Sequence, residues 1–576
     1  MFRSHWLVLH CLVWALIALI GRADYPVASH RHLADPAAMV HEGRVYVYCS
    51  NDDDSPLDGG YDMKSLVCMS SSDLKNWTDH GEVIRVPGAA NWATHTWAPA
   101  AIERDGMFYL YFANNGSNIG VAVSDSPTGP FVDPLGRPLV TAQTPGVLPA
   151  DSIWVFDPAV FIDDDGQAYL YFGGNGEDNV RIIRLNEDMV SVQGEAIKVT
   201  APAFFEAAWM HERDGTYYLS YSTQPSAGIR IDYMTAATPT GPFTYAGIVA
   251  AQPPANNNNN HAAEFQLHGA WYHVYHNRFS AIEAGLAPTY RRNIAVEELT
   301  HRADGSIEPI TYTRDGVVQV GRLNPYRRVE AETFGQQSGV AVERCAEGGM
   351  NLTELDTGDW VRLRGVDFGA GGTIEFQARV ASAAAGGEIS LHLDDRTTAA
   401  IGTVEVAATG GDQTWTTITA PVASTSGVHD LYLRFSGHSE AFFNLNWWRF
   451  TPRQAPVVLS QPRDLQVAPG QRAEFWVQSD ASAADVTFQW IHDGVVLEGA
   501  TAAFLHLDAV TRNHAGMYRV EMSNEAGVIR SDSAELTVVA GVAGKLVNLA
   551  VRAPLDNGAT LIPGFVLSES TPPGPE

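Results

Sequence analysis

The first half of the chain repeats one pattern of hydrophobic and polar positions five times. Each copy is a turn with a glycine, followed by aromatic or aliphatic residues at alternate positions, which predicts a β-strand. The turn glycines are 49 to 63 residues apart. Repeats of this length with about four short strands each are typical of propeller blades, so five copies predict a five-bladed β-propeller. The copies are HEGRVYVYCS (41–50), RDGMFYLYFA (104–113), DDGQAYLYFG (164–173), RDGTYYLSYS (213–222) and LHGAWYHVYH (267–276).

A second shared position lies eight or nine residues before each turn glycine. It is occupied in turn by Asp35, Ala98, Asp157, Glu206 and His261, within short hydrophobic segments. In a propeller these segments would be the innermost strands, so their side chains would converge on the central axis. A single acidic residue before a strand is usually a solvated turn residue. Three carboxyl groups around one axis would repel each other, however, and this indicates a functional site.

Glycoside hydrolysis is a reaction that needs such a group of acids. It requires a general acid for the leaving oxygen and a base or nucleophile on the opposite face of the sugar. A third carboxyl group could keep the acid protonated by charge repulsion. Aromatic residues that could supply apolar faces for a sugar, or instead pack between blades, are Trp97, Trp154, Phe156, Phe204, Phe205 and Trp209.

Length and charge restrict the remaining possibilities. A chain of 576 residues should contain several domains, and a net charge of -29 argues against nucleic acid or an anionic membrane as a partner. The apolar run from Trp6 to Ile20 follows Arg3 and precedes small residues, which predicts a signal peptide over 1–23 and a secreted or periplasmic protein. A membrane anchor is the alternative, although this run is shorter than the about 20 residues that a span needs.

Three cysteines follow the predicted signal peptide, namely Cys49, Cys68 and Cys345. They are too few for a disulfide framework, and their spacing is not that of a metal site. Cys49 and Cys68 fall on strands that could be neighbours, so a disulfide bridge and two buried thiols are both open, and the thiols are favoured.

Residues 24–322 resemble glycoside hydrolase family 43. The resemblance is carried by ADPAAMV, WAPA, FDPAVFIDDDGQAYLYFGG, FFEAAWMHERDGTYYLSYS, HAAEFQLHGAWYHVYHN and YRRNIAVEELTHRADGSI. It implies a five-bladed propeller and an inverting enzyme that acts on arabinofuranosides or xylosides of plant hemicellulose. By motif, Asp35 would be the general base, Glu206 the general acid, and Asp157 the residue that orients the acid and tunes its pKa.

The same resemblance implies further site residues. His261 would lie near a central calcium ion, with a hydrogen bond to a neighbouring acid as the alternative. Arg292 would bind substrate, although the adjacent Arg291 leaves its register open. Independently of the resemblance, Trp97 and Phe205 flank the axial positions and are expected to contact the sugar. Where many relatives have an acidic residue at the end of the WAPA motif, this chain has Ala100.

Residues 327–452 resemble carbohydrate-binding module family 6, a jelly-roll β-sandwich. The resemblance implies that Glu330 and Glu332 hold a structural calcium ion, and that Trp415 and Asn444 contact sugar. Glu354 stands where the second aromatic wall of the binding cleft is usual, which puts that cleft in doubt.

Residues 455–540 predict an immunoglobulin-like domain without its disulfide. Trp490 and Tyr518 take the places of the core tryptophan and corner tyrosine, and Val477 and Val520 take those of the cysteines. The segment 541–576 begins like one more β element.

We therefore expect an all-β, secreted, inverting exo-glycosidase that acts on arabinoxylan or a related plant polysaccharide. An α-L-arabinofuranosidase or arabinoxylan arabinofuranohydrolase is the favoured activity. A β-xylosidase is the first alternative, and a non-catalytic glycan-binding protein is the alternative from another class. We expect a monomer with structural calcium in the propeller centre and in the binding module, and with no nucleic-acid or membrane partner.

Overall fold

The computed structural model describes residues 26–539 except 57–59, 148–151, 254–258, 287, 384–385, 438–441 and 480–485. The predicted signal peptide and the segment after residue 539 lie outside this part of the chain. The described residues are mostly β-strand and include one short α-helix, α1 (Phe279–Glu283). No helix among them is both long enough and apolar enough to cross a membrane.

Residues 33–299 form five antiparallel sheets that follow each other in chain order. The first comprises β1 (Leu33–His41), β2 (Arg44–Asn51), β3 (Ser65–Ser71) and β4 (Trp77–Arg85). The second comprises β5 (Trp97–Arg104), β6 (Met107–Asn114), β7 (Asn118–Ser124) and β8 (Val140–Thr141). The third comprises β9 (Ala159–Ile162), β10 (Ala168–Phe172), β11 (Val180–Leu185) and β12 (Val192–Val199). The fourth comprises β13 (Phe204–Arg213), β14 (Thr216–Thr223), β15 (Ile231–Ala236) and β16 (Thr244–Ala250), and the fifth β17 (Ala262–Leu267), β18 (Ala270–Asn277) and β19 (Asn293–Leu299).

The repeated glycine pattern corresponds to the hairpin that opens each sheet. The turn between β1 and β2 has two consecutive residues with positive φ, Glu42 at 49° and Gly43 at 73°. Two such residues define the type I′ turn, whose twist matches that of the flanking strands and which favours glycine at the second position. The turns at Gly106, Gly215 and Gly269 repeat this pair of positive φ angles. The sequence repeat is therefore a repeated hairpin turn.

The first strands of the five sheets lie next to one another. Strand β1 contacts both β5 and β17, β9 contacts β5 and β13, and β13 contacts β17. The N-terminal ends of these strands, where the acidic residues lie, are thus brought to one region of the molecule.

A backbone irregularity recurs within β1, β5 and β13 and two residues before β9. Asp35, Ala98, Asp157 and Ala207 all have positive φ, between 37° and 60°, and the pairing of β1, β5 and β13 shifts register at these points. Bulges of this kind re-aim side chains and are frequent beside active sites. In β13 the left-handed residue is Ala207, the neighbour of Glu206, and the Glu206 side chain lines the same cavity as the other predicted positions.

Residues 329–452 form two further sheets packed face to face, as predicted for a β-sandwich. One contains β20 (Val329–Glu330), β23 (Ala341–Arg344), β24 (Met350–Thr353), β26 (Thr373–Ser382), β29 (Gly411–Pro421) and β31 (Asn444–Pro452). The other contains β22 (Gln336–Ser338), β25 (Trp360–Asp367), β27 (Gly387–Leu393), β28 (Gly402–Val406) and β30 (Val428–Gly437). Strand β21 (Thr333–Phe334) leaves the sandwich and pairs with β4 of the first sheet.

The chain from Pro456 contributes a second compact unit. Its strands are β32 (Val458–Ser460), β33 (Leu465–Val467), β34 (Ala473–Trp476), β35 (Gln478–Ser479), β36 (Thr487–His492), β37 (Val495–Val496), β38 (Phe504–Leu507), β39 (Gly516–Asn524), β40 (Gly527–Arg530) and β41 (Ala534–Val538). Trp490, Val477 and Val520 are buried in it, and the Tyr518 hydroxyl donates to the carbonyl of His514 at 2.7 Å.

The two cysteines on neighbouring strands are free thiols, as favoured from the sequence. Cys68 pairs with Tyr48 and Cys49 pairs with Val67, so the two cysteines are one residue out of register. Side chains one residue apart point to opposite faces of a sheet. Both thiols are buried and unbridged, and so is Cys345.

Gly174 should be needed for its small size rather than for its backbone conformation. A Cβ atom there would lie 2.3 Å from the ring of Phe156 and 3.1 Å from the carbonyl oxygen of Phe205, without a positive φ. We expect Gly174→Ala to lower the free energy of unfolding by about 1–3 kcal/mol through overpacking. Gly116→Ala is the matched control, since its Cβ would contact Trp154 at an ordinary 3.7 Å. Equal midpoints of urea unfolding for the two variants would show that the space around Gly174 is not limiting.

Candidate active site

A cavity of about 320 Å³ opens where the first strands of the five sheets begin. Asp35, Asp157 and Glu206 line it, and each is less than a tenth exposed. The cavity is also lined by the predicted substrate-binding residues of this domain, which are Trp97, Phe205, His261 and Arg292. Residues that are up to 257 positions apart in the chain thus share one site.

Asp35 is the acid with a cationic partner. The Nη1 atom of Arg292 donates to its Oδ1 at 2.6 Å, and the Nδ1 atom of His276 lies 3.3 Å from the same oxygen. Burial alone would favour the neutral acid, but the charge of Arg292 opposes this effect and holds the pKa of Asp35 well below its usual range. Asp35 is therefore an ionised carboxylate, as a general base must be.

Glu206 has the opposite character. Burial and the negative charge of Asp35 raise its pKa to about 8, and the more distant charges of Arg292 and Arg278 offset this only in part. Glu206 therefore carries its proton at neutral pH, which is the state that a general acid needs.

The third acid, Asp157, contacts the strand that carries Glu206. Its Oδ2 atom accepts a hydrogen bond from the backbone N–H of Ala207 at 3.2 Å, which ties it to the bulge that carries Glu206. Burial, Glu206 and Asp35 all raise the pKa of Asp157 well above its usual value. Three carboxyl groups thus share one cavity, and the charge of Asp35 disfavours ionisation of the other two.

His261 is a neutral imidazole in this cavity. Burial lowers its pKa to about 4 although Asp35 opposes the shift. Its Nδ1 atom is 3.7 Å from Asp35 and 3.9 Å from Asp157, which is too far for a hydrogen bond to either acid. Calcium prefers oxygen ligands, and the described residues contain no group of three or more His, Cys, Asp or Glu arranged to hold a metal. The side chains around His261 do not by themselves form a calcium site.

The aromatic residues divide between the cavity and the core. Trp154, 38% exposed, packs edge-on against Phe156 and Phe205 at the cavity. Phe204 and Trp209 are buried in the hydrophobic core instead. The first group offers apolar ring surface to a ligand, and the second supports the sheets.

Several residues at the cavity were not predicted from the sequence. Tyr61 and Asn259 line the cavity, His276 contacts Asp35, and Asp52 contacts Arg292. His276 is the last residue of the fifth repeat copy, so its position could have drawn attention. Asp52 belongs to a run of three aspartates that resembles a solvated turn and gave no signal.

In the sandwich, the predicted sugar-contacting residues lie on β29 and β31, the two strands that flank β26. Trp415 and Asn444 pair with the same residue, Ala381, from either side. The Asn444 amide donates to Glu343 at 2.8 Å, and Glu354 is exposed. This arrangement leaves the Trp415 ring half-buried beside a polar network.

The predicted calcium ligands of the sandwich differ in their surroundings. Glu330 forms an ion pair with Arg328 at 2.7 Å. The Oε2 atom of Glu332 and the Oδ1 atom of Asn446 are buried and have no hydrogen-bond partner. Unpartnered buried oxygens suit a hard cation such as calcium. Glu332 and Asn446 therefore fit the implied ion, and Glu347, to which the Asn446 amide donates at 3.3 Å, is close by.

Comparison with known proteins agrees with this geometry. The model of glycosyl hydrolases family 43 matches residues 23–307, and that of carbohydrate binding module family 6 matches residues 330–452. An arabinoxylan arabinofuranohydrolase from Bacillus subtilis is 41% identical over 75% of this chain and 93% of its own length. The chain belongs to glycosyl hydrolase family 43.

Other relatives extend over the same part of this family 43 enzyme. An arabinoxylan arabinofuranohydrolase from Paenibacillus polymyxa is 40% identical over 76% of this chain and 75% of its own. The solved structure of a family 43 arabinoxylan arabinofuranohydrolase from Bacillus subtilis, in complex with cellotetraose, has a TM-score of 0.70. It is 39% identical and covers 75% of this chain and 98% of its own. The chain is a glycoside hydrolase that carries a carbohydrate-binding module.

The pH dependence of kcat/KM should report the protonation of Glu206. An acid with a raised pKa is active below that value, so activity should be lost as the pH rises through about 8. Glu206→Gln should retain activity only on nitrophenyl glycosides, whose leaving group needs no proton, and this residual activity should lack the alkaline limb. The same limb in Glu206→Gln would show that another group titrates.

Calcium should stabilise the protein through Glu332. Burial, with the nearby charges of Glu330 and Asp79, raises the pKa of Glu332 well above its usual value, and a bound cation would relieve this repulsion. We expect calcium to raise the melting temperature of the wild type relative to EDTA, and Glu332→Gln to reduce this difference. Glu405→Gln removes the same charge at an exposed site on β28, and it should keep the full difference in melting temperature between calcium and EDTA. An equal calcium effect in both variants would exclude Glu332 as a ligand.

Proposed function

We propose that the protein is a secreted, inverting exo-α-L-arabinofuranosidase that removes arabinose side chains from arabinoxylan. The observation that carries this proposal is the unequal ionisation of acids in one cavity. Asp35 is held ionised by Arg292, while Glu206 is buried and protonated. An ionised base and a protonated acid that share a cavity are the pair that inverting hydrolysis requires.

The proposed reaction is a single displacement. Asp35 takes a proton from a water molecule as the water oxygen bonds to the anomeric carbon. The bond from that carbon to the glycosidic oxygen breaks at the same time, and Glu206 gives its proton to this oxygen. Asp157, hydrogen-bonded to the Ala207 N–H, would position the acid and disfavour loss of its proton.

The shape of the cavity supports an exo-acting enzyme on a branched polymer. The three acids line one cavity of about 320 Å³, which could hold a terminal sugar unit. Trp154 offers an exposed ring at the cavity, where the main chain of a polysaccharide could stack. The names of the Bacillus and Paenibacillus relatives favour arabinoxylan as the substrate over a simple xyloside.

The remaining parts of the proposal concern the scaffold. We infer that the five sheets close into a five-bladed propeller, which the contacts of β1 with both β5 and β17 support. We also infer that the second compact unit is immunoglobulin-like, because Trp490 is buried and the Tyr518 hydroxyl bonds back to His514 as in a tyrosine corner. Export by the segment 1–23, a monomeric state and calcium near His261 remain parts of the same proposal.

The sugar that is released tests the activity. We expect the purified protein to release arabinose from arabinoxylan and nitrophenol from the α-L-arabinofuranoside, and much less from the β-D-xyloside. Predominant xylose release would identify a β-xylosidase, and no release from any substrate would favour a glycan-binding protein.

Two controls test the assigned roles. Proton NMR of the first product should show the inverted anomer, and a retained anomer would exclude a single displacement. Asp35→Ala should depress all substrates alike, whereas Glu206→Ala should depress those with poor leaving groups most.

A further inference from the structure

A second buried carboxylate holds the arginine that contacts Asp35. Asp52 lies in the 3₁₀ turn Asp52–Asp54 directly after β2 and is fully buried. Its Oδ2 atom accepts from the backbone N and the Nε atom of Arg292 at 2.8 and 2.9 Å. Its Oδ1 atom accepts from Nη2 at 2.7 Å. Contacts to both oxygens fix the plane of the guanidinium group.

This orientation determines what Arg292 offers to Asp35. With Nε and Nη2 engaged by Asp52, Nη1 is directed at the Oδ1 atom of Asp35, 2.6 Å away. The Nδ1 atom of His276 accepts from the Asp35 backbone N–H at 3.2 Å, so it does not also donate to the carboxylate. Arg292 is therefore the charged donor on which the Asp35 carboxylate depends.

The turn that carries Asp52 is itself held in place by the preceding arginine. Arg291 donates from Nη1 to the carbonyl of Asp52 at 2.6 Å and from Nη2 to that of Ser55 at 2.7 Å. The two consecutive arginines thus have separate tasks. Arg291 fixes the backbone of the turn, and Arg292 connects its carboxylate to the cavity.

We propose that Asp52 is a positioning residue for the hydrolytic reaction: it fixes the Arg292 guanidinium so that Nη1 points at Asp35. The inference rests on the role of Asp35 as general base proposed above. It adds a residue that contacts neither the cavity nor the sugar, and that acts only through Arg292.

Other ionisable groups also face Asp35, and they set the direction of the expected effect. From the other strands these are the neutral imidazoles of His261 and His276 and the carboxyls of Asp157 and Glu206. Cys49 and Tyr61 are near enough for Asp35 to raise their pKa values, so both are uncharged. None of these groups supplies a positive charge in place of Arg292. A displaced guanidinium would leave burial to raise the pKa of the base.

The test is the acid limb of the pH profile of kcat/KM in Asp52→Ala, on whichever glycoside the wild type hydrolyses. We expect kcat/KM to fall at least about tenfold and the acid limb to move up by about one pH unit or more. Asp52→Asn keeps the volume and can still accept from the Arg292 backbone N and Nε atoms, so it should show an intermediate shift. If the alanine variant does not fold, the shift of the acid limb is measured on Asp52→Asn instead.

Asp53→Asn is the matched control, because it removes the same charge from the same turn. Asp53 bonds to the half-buried His32 rather than to Arg292, so its variant should keep the wild-type acid limb. In addition, Asp52→Ala should have little further effect in an Arg292→Ala background, since the two residues act as one unit.

The outcomes separate this inference from the proposed function. Lower activity of Asp52→Ala with an unmoved acid limb, or full additivity with Arg292→Ala, would mean that Asp52 is only structural and would overturn the inference. Substantial activity in Asp35→Ala would instead overturn the general-base assignment, and the inference with it.

Discussion

The site depends on one buried cation between two carboxylates. Arg292 is almost fully buried, and it contacts Asp35 with one nitrogen and Asp52 with two. Removing such charges from water costs several kcal/mol per ion, and only full hydrogen bonding offsets this. Because Asp52 follows β2 and Arg292 precedes β19, the interaction also joins the first sheet to the fifth. The contact that sets the chemistry therefore also holds the two ends of the sheet series together.

The same cation explains why three similar acids have different protonation states. Asp35, Asp157 and Glu206 are comparably buried, so burial raises the pKa of each. Only Asp35 contacts the guanidinium group, and its resulting negative charge then raises the pKa of the other two. The ion pair with Arg292 thus keeps Asp35 ionised as the base. The negative charge of Asp35 in turn disfavours ionisation of Glu206, which is the proposed acid.

The parts that the sequence could predict are those governed by local rules. The repeated glycine turns, the strands and the convergence of their first residues depend on short-range alternation and on the φ angles that glycine permits. The left-handed conformation of Ala207 beside Glu206 was not predicted, because a bulge leaves no clear mark in one sequence. Asp52 was missed because its partner, Arg292, is 240 residues away. The local sequence pattern identifies the acids, but their protonation states depend on Arg292, which is distant from Asp35 along the chain.

The binding module is attached to the first sheet by strand pairing, which is the same backbone hydrogen bonding that forms the sheets. An outer strand presents unpaired N–H and C=O groups, and β4, the outer strand of the first sheet, is covered by β21 from the module. Thr333 and Phe334 pair with Thr78 and Trp77, and the hydroxyls of Thr78 and Thr333 lie 2.8 Å apart. Because the module adds a strand to the sheet that carries Asp35, it cannot turn freely about a linker without breaking these bonds. A polysaccharide bound to the module would therefore meet the catalytic domain in a fixed orientation.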